Sequence, residues 1–167
     1  MKKITLFSCF IVMSQCIFAQ NEALSKVDIE KFLNLSVEAK NHRAQRLVSL
    51  DEFIQMSKEP KTIVLDTRSK KMFDMRHIKG AVHLNFSDFT AAKLEKVIPN
   101  KETRILIYCN NNFIDDPRDM DLKSPPLALN IPTFINLFGY GYENIYELGS
   151  FVSVKSSKLE FGGEVAK

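Results

Sequence analysis

From Leu47 to Leu148 the apolar positions fall into short blocks that alternate between two patterns. Ser49 and Glu52, three residues apart, form a capping box, and Leu50, Phe53 and Ile54 make the apolar stripe behind it. This predicts a helix that Pro60 ends. Thr62 to Leu65 is a β-branched and aliphatic run that predicts a buried strand. Lys70 to Met75 fits one or two helical turns, Ala81 to Leu84 a second strand, and Ala91 to Ile98 a helix closed by Pro99. Arg104 to Tyr108 is the clearest strand, centred on Ile105, Leu106 and Ile107. Pro132 to Phe138 reads as a helix with Pro132 at its first position. Gly139 and Gly141 then supply a turn before a last strand, Asn144 to Leu148.

Short strands, apolar on both faces and alternating with helices, predict an α/β domain on a mostly parallel sheet. In such sheets ligands bind beyond the carboxyl ends of the strands. Two polar segments fall there: Asp66-Thr67-Arg68 after one strand and Cys109 after another.

The flanking segments read differently. Lys2 and Lys3 precede a nearly unbroken apolar run, Ile4 to Phe18, and Ala19 is a small residue ahead of Gln20. Residues 1–19 therefore read as a signal peptide, with an uncleaved anchor as the alternative. The expected location is outside the cytoplasm, periplasmic or extracellular, with no membrane attachment after cleavage. Residues 20–46 form a charged, mildly amphipathic extension, expected to be partly helical. The domain proper is expected over 47–155 and a tail over 156–167.

Composition changes this picture little. With 45% hydrophobic and 26% charged residues, the 167-residue chain fits one globular domain and excludes collagen-like and wholly disordered classes. A net charge of +3 is too small and scattered to imply nucleic acid. The cysteines are more informative. Cys9 and Cys16 would leave with the leader, so Cys109 would be the single thiol of the exported protein, without an internal disulfide partner.

Several fragments in order then carry a resemblance: Asp66-Thr67-Arg68, Phe73, His77-Ile78-Lys79-Gly80-Ala81, Ile105 to Cys109, and Gly141 to Leu148. Together they resemble the rhodanese-like family. The resemblance implies a single domain with a mostly parallel central sheet flanked by helices. It implies that Cys109 is the nucleophile, which accepts a sulfane sulfur from a donor such as thiosulfate and passes it to cyanide or a thiol. No metal or organic cofactor is implied. A thiolate needs backbone N–H groups, a helix N-terminus or cations around it, and Asn110, Asn111, Asn112 and Phe113 are the expected anion loop. Asp66 and Arg68 are expected as a pair bracing the site, and His77 as a hydrogen-bonded framework residue.

The chain also departs from the family pattern. The family's short loop carries an Arg, whereas Ile114 stands five residues after Cys109 and Asp115 six after it. The anion at Asp115 argues against a related phosphatase, which would need an Arg there. The stretch 110–130 shows little helix or strand pattern and reads as an inserted, solvated flap, a surface for a protein partner. Asp115, Asp116, Asp119 and Asp121 lack the spacing of a calcium loop. Two alternatives to turnover follow from the altered loop: the fold kept as a binding module, and a persulfide carrier serving a partner protein.

Overall fold

The β-branched run after Pro60 is a strand, and every other strand expected from the pattern forms in the same sheet. The computed structural model of the protein describes residues 26–116, 122–155 and 158–164. Its first half contains α1 (Ile29–Arg43), β1 (Leu47–Val48), α2 (Leu50–Ser57), β2 (Thr62–Asp66), α3 (Lys70–Met75), β3 (His77–Ile78), β4 (Val82–His83) and α4 (Ala91–Val97). The second half contains β5 (Arg104–Tyr108), β6 (Phe113–Ile114), α5 (Asn130–Gly139), β7 (Ile145–Leu148), β8 (Val152–Ser153) and β9 (Phe161–Gly162). Five strands form a sheet in the order β1-β7-β5-β2-β4, with every pairing parallel. The expected parallel α/β architecture is thus the observed one. Because β5 is central and all strands run the same way, the ends of β2 and β5 open on one edge, with Asp66 opposite Tyr108.

The sheet is covered on both faces, which explains its unbroken apolar strands. Along β5 the side chains alternate: Ile105 and Ile107 join Leu94, Phe134 and Leu137 on one face. Leu106 and Tyr108 join Phe53, Phe113 and Leu148 on the other. The capping box of α2 closes as expected. The Ser49 N–H donates to Glu52 Oε2 at 2.8 Å, and Ser49 Oγ accepts from the Glu52 N–H at 3.3 Å.

Four features correct the pattern reading. The helix expected from Pro132 starts two residues earlier, so Pro132 is its third residue. The N–H that proline lacks has no partner in a first helical turn, so that position costs nothing. Gly139 closes α5 rather than forming the turn, and a Cβ there would lie 2.7 Å from Leu35 Cδ2, so its bareness lets α1 pack closely. Gly141, at φ +80°, does make the turn. The stretch 110–130 is not featureless either: β6 pairs with β8, and Asp116 is not solvated but bonds the buried Arg76 at 2.5 Å. A buried guanidinium needs such a counter-ion. The leader residues, with Asp119 and Asp121, lie outside the described residues.

The flanking segments meet the domain at defined places. In α1, Ala39 is buried in the core, and Arg43 holds Glu147 of β7 through two bonds of 2.5 and 2.8 Å. After the domain, β9 pairs antiparallel with β3.

Candidate active site around Cys109

Cys109 follows directly on β5 and is 2% exposed. The backbone N–H groups of Asn130, Asn111 and Leu129 act on its sulfur in the direction that favours a thiolate. Leu129 and Asn130 stand at the start of α5, where N–H groups lack intrahelical partners and the helix dipole is positive. Asn111 belongs to the 3-10 turn Asn110–Asn112 that follows the strand. The groups that favour a thiolate thus come from both ends of the stretch 110–130.

Burial pushes the Cys109 thiol above the ordinary thiol range, the N–H groups pull it back in part, and the charge of Glu147 adds to the upward push. The thiolate is the disfavoured form, so alkylation by iodoacetamide is expected to keep accelerating at pH values where an ordinary thiol has reached its plateau. The sign for stability follows. The contribution from burying the neutral thiol is present below the ordinary thiol range and is lost as pH rises through the raised value. A pH profile of the alkylation rate checks this; a plateau at or below that of a free thiol would contradict it.

The residues expected around the sulfur divide into those that reach it and those that do not. Asn111 brings its N–H. Asn110 instead turns its side chain away, accepting from Arg68 Nη1 at 2.9 Å. Asn112 is a connector: its Oδ1 accepts from the Cys109 N–H at 2.9 Å and from Asn130 Nδ2 at 3.1 Å, while its Nδ2 donates to Leu148 O at 2.7 Å. Phe113, expected in the anion loop, lies in β6 with its ring against Tyr108 and Phe161, because the strand pairing turns it into the core. His77 lines neither cleft at Cys109; its Nδ1 meets Phe73 O at 2.8 Å and its ring stacks on Phe73.

Asp66 and Arg68 form a buried pair beneath the site. Asp66 is 0% and Arg68 3% exposed, and Arg68 Nη2 donates to Asp66 Oδ2 at 2.6 Å. Tyr108 also donates to that carboxylate, and the Ile78 N–H donates to the Tyr108 oxygen at 3.1 Å. Burial, with Asp66 alongside, drives the Tyr108 phenol well above its usual range, so it stays a donor. Arg68 thus joins the end of β2 to Asn110 in the turn after Cys109.

Several contributors were not legible as site residues. Leu129 and Asn130 supply two of the three N–H groups; the only signal was that a helix after a parallel strand presents its N-terminus at the sheet edge. Thr67 and Thr133, both buried, share a hydrogen bond of 2.9 Å that fixes α5 against the end of β2. His83 meets the Arg68 carbonyl at 2.8 Å through Nε2. Arg43, Glu147 and Asn130 continue the Asn112 network, with Asn130 Nδ2 donating to Glu147 Oε1 at 3.2 Å.

Two clefts meet at Cys109. The larger, about 570 Å³, is walled by Leu47, Leu122, Ile131, Leu148 and Phe151, with Glu147 and Asn130 in its lining. The smaller, about 310 Å³, is lined by Arg68, Ser69, Asn85, Phe86, Ser87 and Asn110 among others. Cys109, Asn111 and Lys123 belong to both. Among the described residues no three His, Cys, Asp or Glu side chains gather as a metal site, and no helix is long and apolar enough to cross a membrane.

Comparison with known proteins places this geometry in context. The family model described as Rhodanese-like domain matches residues 49–156. The curated proteins offer no match. Among solved structures, a rhodanese with anions from E. coli is similar at a TM-score of 0.41 and 14% identity, over 61% of this chain and 98% of that one. The Alr3790 protein from Anabaena sp. is similar at a TM-score of 0.49 and 17% identity, over 71% of this chain and 82% of its own. The BH2092 protein from Bacillus halodurans gives 0.46 and 16%, over 71% and 77%.

Proposed function

The chain belongs to the rhodanese-like domain family, and from that premise we propose that it is a sulfurtransferase in which Cys109 carries sulfur as a persulfide. The observation that carries the reading is the place of Cys109, directly after the central strand β5 and in the lining of both clefts, with the Asn130, Asn111 and Leu129 N–H groups favouring its thiolate. A structural thiol needs no such groups beside it, whereas an anion formed there is stabilised by them. The same observation weighs against the fold being kept only as a binding module.

The chemistry is a pair of displacements. The Cys109 thiolate attacks the outer sulfur of thiosulfate, the sulfur–sulfur bond of the donor breaks, and sulfite leaves with its electron pair. The persulfide anion stays within reach of the N–H groups. Cyanide or a thiolate then takes the sulfane sulfur, and Cys109 leaves as the thiolate again. Arg68 and Asn112 act as positioning residues, because they hold the turn and the Cys109 backbone without reaching the sulfur. We further place this chemistry outside the cytoplasm, on the leader pattern of residues 1–19, and read residues 110–130 as a surface open to a partner protein.

The test is thiocyanate formation from thiosulfate and cyanide by the purified protein. Catalytic production that scales with enzyme concentration is the expected result. Production no faster than in buffer would overturn the reading.

A further inference from the structure

Sulfur transfer forms an anion on Cys109, and the clefts beside it are lined by charges of both signs. Among the described residues, Arg43, Lys123 and Glu147 border the larger cleft and Arg68 and Lys123 the smaller, so Glu147 is the single anion in either lining. Glu147 is buried, and its charge adds to the upward push on the Cys109 thiol. A buried carboxylate is also costly in itself unless it is paired and hydrogen-bonded. Arg43 supplies the pairing. It stands in the last turn of α1, and its Nε and Nη2 donate to the two Glu147 oxygens at 2.5 and 2.8 Å, a planar fork that lysine does not offer. Lys123 borders the same cleft, but the ion pair of Glu147 is with Arg43. The carboxylate held in this way accepts from Asn130 Nδ2 at 3.2 Å. Asn130 Nδ2 also donates to Asn112 Oδ1 at 3.1 Å, and that oxygen accepts from the Cys109 N–H at 2.9 Å. A continuous chain of hydrogen bonds therefore runs from α1 to the backbone of the nucleophile.

The helix that brings Arg43 is itself fixed. Ala39 lies in the core, and the His42 ring packs against Phe134 and Phe138 of α5 while its Nε2 meets the Glu143 carbonyl at 2.6 Å. Just beyond α1, the Arg46 carbonyl accepts from the Glu147 N–H at 2.8 Å. Yet the family match begins at residue 49, so α1 lies outside it. From this we infer that Arg43 is a positioning residue for the reaction at Cys109, brought by a helix outside the rhodanese-like match: it holds the Glu147 carboxylate in place and offsets its charge, so that an anion can form on the sulfur. The inference deepens the sulfur-transfer reading and rests on it for the use made of that anion. Without the guanidinium, Glu147 brings an uncompensated charge to the wall of the cleft, and the link through Asn130 and Asn112 loses its anchor.

The experiment compares the full chain with Arg43→Gln, Glu147→Gln and the double variant. One readout is the pH profile of iodoacetamide alkylation, which needs no sulfur donor; the other is the rate of sulfur loading from thiosulfate, followed by intact mass. Arg43→Gln is expected to alkylate about tenfold more slowly at neutral pH and to converge on the unaltered protein as pH rises, the effect of one uncompensated like charge beside a thiol. The double variant removes both charges and is expected to return to within about threefold of the unaltered protein. Glu147→Gln alone keeps the cation and is expected to alkylate faster at neutral pH; it carries the test if Arg43→Gln does not fold. Sulfur loading is expected to follow the same order. An Arg43→Gln profile that superimposes on that of the unaltered protein would overturn the inference. So would a double variant as slow as Arg43→Gln, since Arg43 would then support the fold and not the charge balance. Glu147→Gln no faster than the unaltered protein, or sulfur loading indifferent to these charges, would overturn it too. Alkylation in the expected order by a protein that takes up no sulfur would instead overturn the transfer reading, which separates the two failures.

Discussion

Replacing Asp66 with alanine is expected to cost about 3–5 kcal/mol of folding stability, the range for breaking a buried ion pair by removing one partner. The carboxylate is fully buried and accepts from the Arg68 backbone N–H, from Arg68 Nε and Nη2, and from the Tyr108 hydroxyl. Without it the Arg68 guanidinium keeps Asn110 Oδ1 and the Arg76 carbonyl but loses the carboxylate of its buried ion pair. Tyr108 loses its acceptor at the same time. The effect should reach the site, because the Arg68 bond to Asn110 fixes the turn that brings the Asn111 N–H to Cys109. Denaturant unfolding measures the loss. A loss below about 1 kcal/mol, the ordinary effect of a surface change, would show that the pair does not brace the fold.

The second large effect falls on chemistry and leaves the fold alone. Cys109→Ala is expected to reduce sulfur transfer by more than about 10³-fold, as removal of a covalent nucleophile does. The side chain lost is small and makes its hydrogen bonds through its sulfur, so the unfolding midpoint should move little. The pairing of the two variants is informative. Asp66→Ala should lower stability and blunt activity, whereas Cys109→Ala should abolish activity at nearly constant stability. Residual turnover in a stable Cys109→Ala protein would mean that another group carries the sulfur.

The parallel sheet was legible because its strands announce themselves in composition: Thr62 to Leu65 and Arg104 to Tyr108 are apolar on both faces, as only a doubly covered sheet demands. Of the six two-residue strands, β4 was legible inside the run Ala81 to Leu84, while β1, β3, β6, β8 and β9 were not legible apart from the apolar blocks around them, since two residues carry no periodicity. For the site, Cys109 was readable from its place after β5. The rest of the nest was not. Asn110 to Phe113 were the natural candidates by adjacency, yet the Asn110 side chain turns to Arg68, and the Asn112 and Phe113 side chains are drawn into the core by Leu148 and by the β6–β8 pairing. Leu129 and Asn130 lie some twenty residues away and contribute backbone groups, which no side-chain pattern encodes. The pair Asp66–Arg68 was readable as a brace, while its third member, Tyr108, looked like an ordinary strand end.

The account turns on whether sulfur becomes covalently attached at Cys109. Intact-mass measurement of the protein after exposure to thiosulfate and desalting tests this directly. The account predicts an increment of a single sulfur atom that cyanide removes and that Cys109→Ala does not acquire. An unchanged mass, or an adduct that persists in Cys109→Ala, would contradict it.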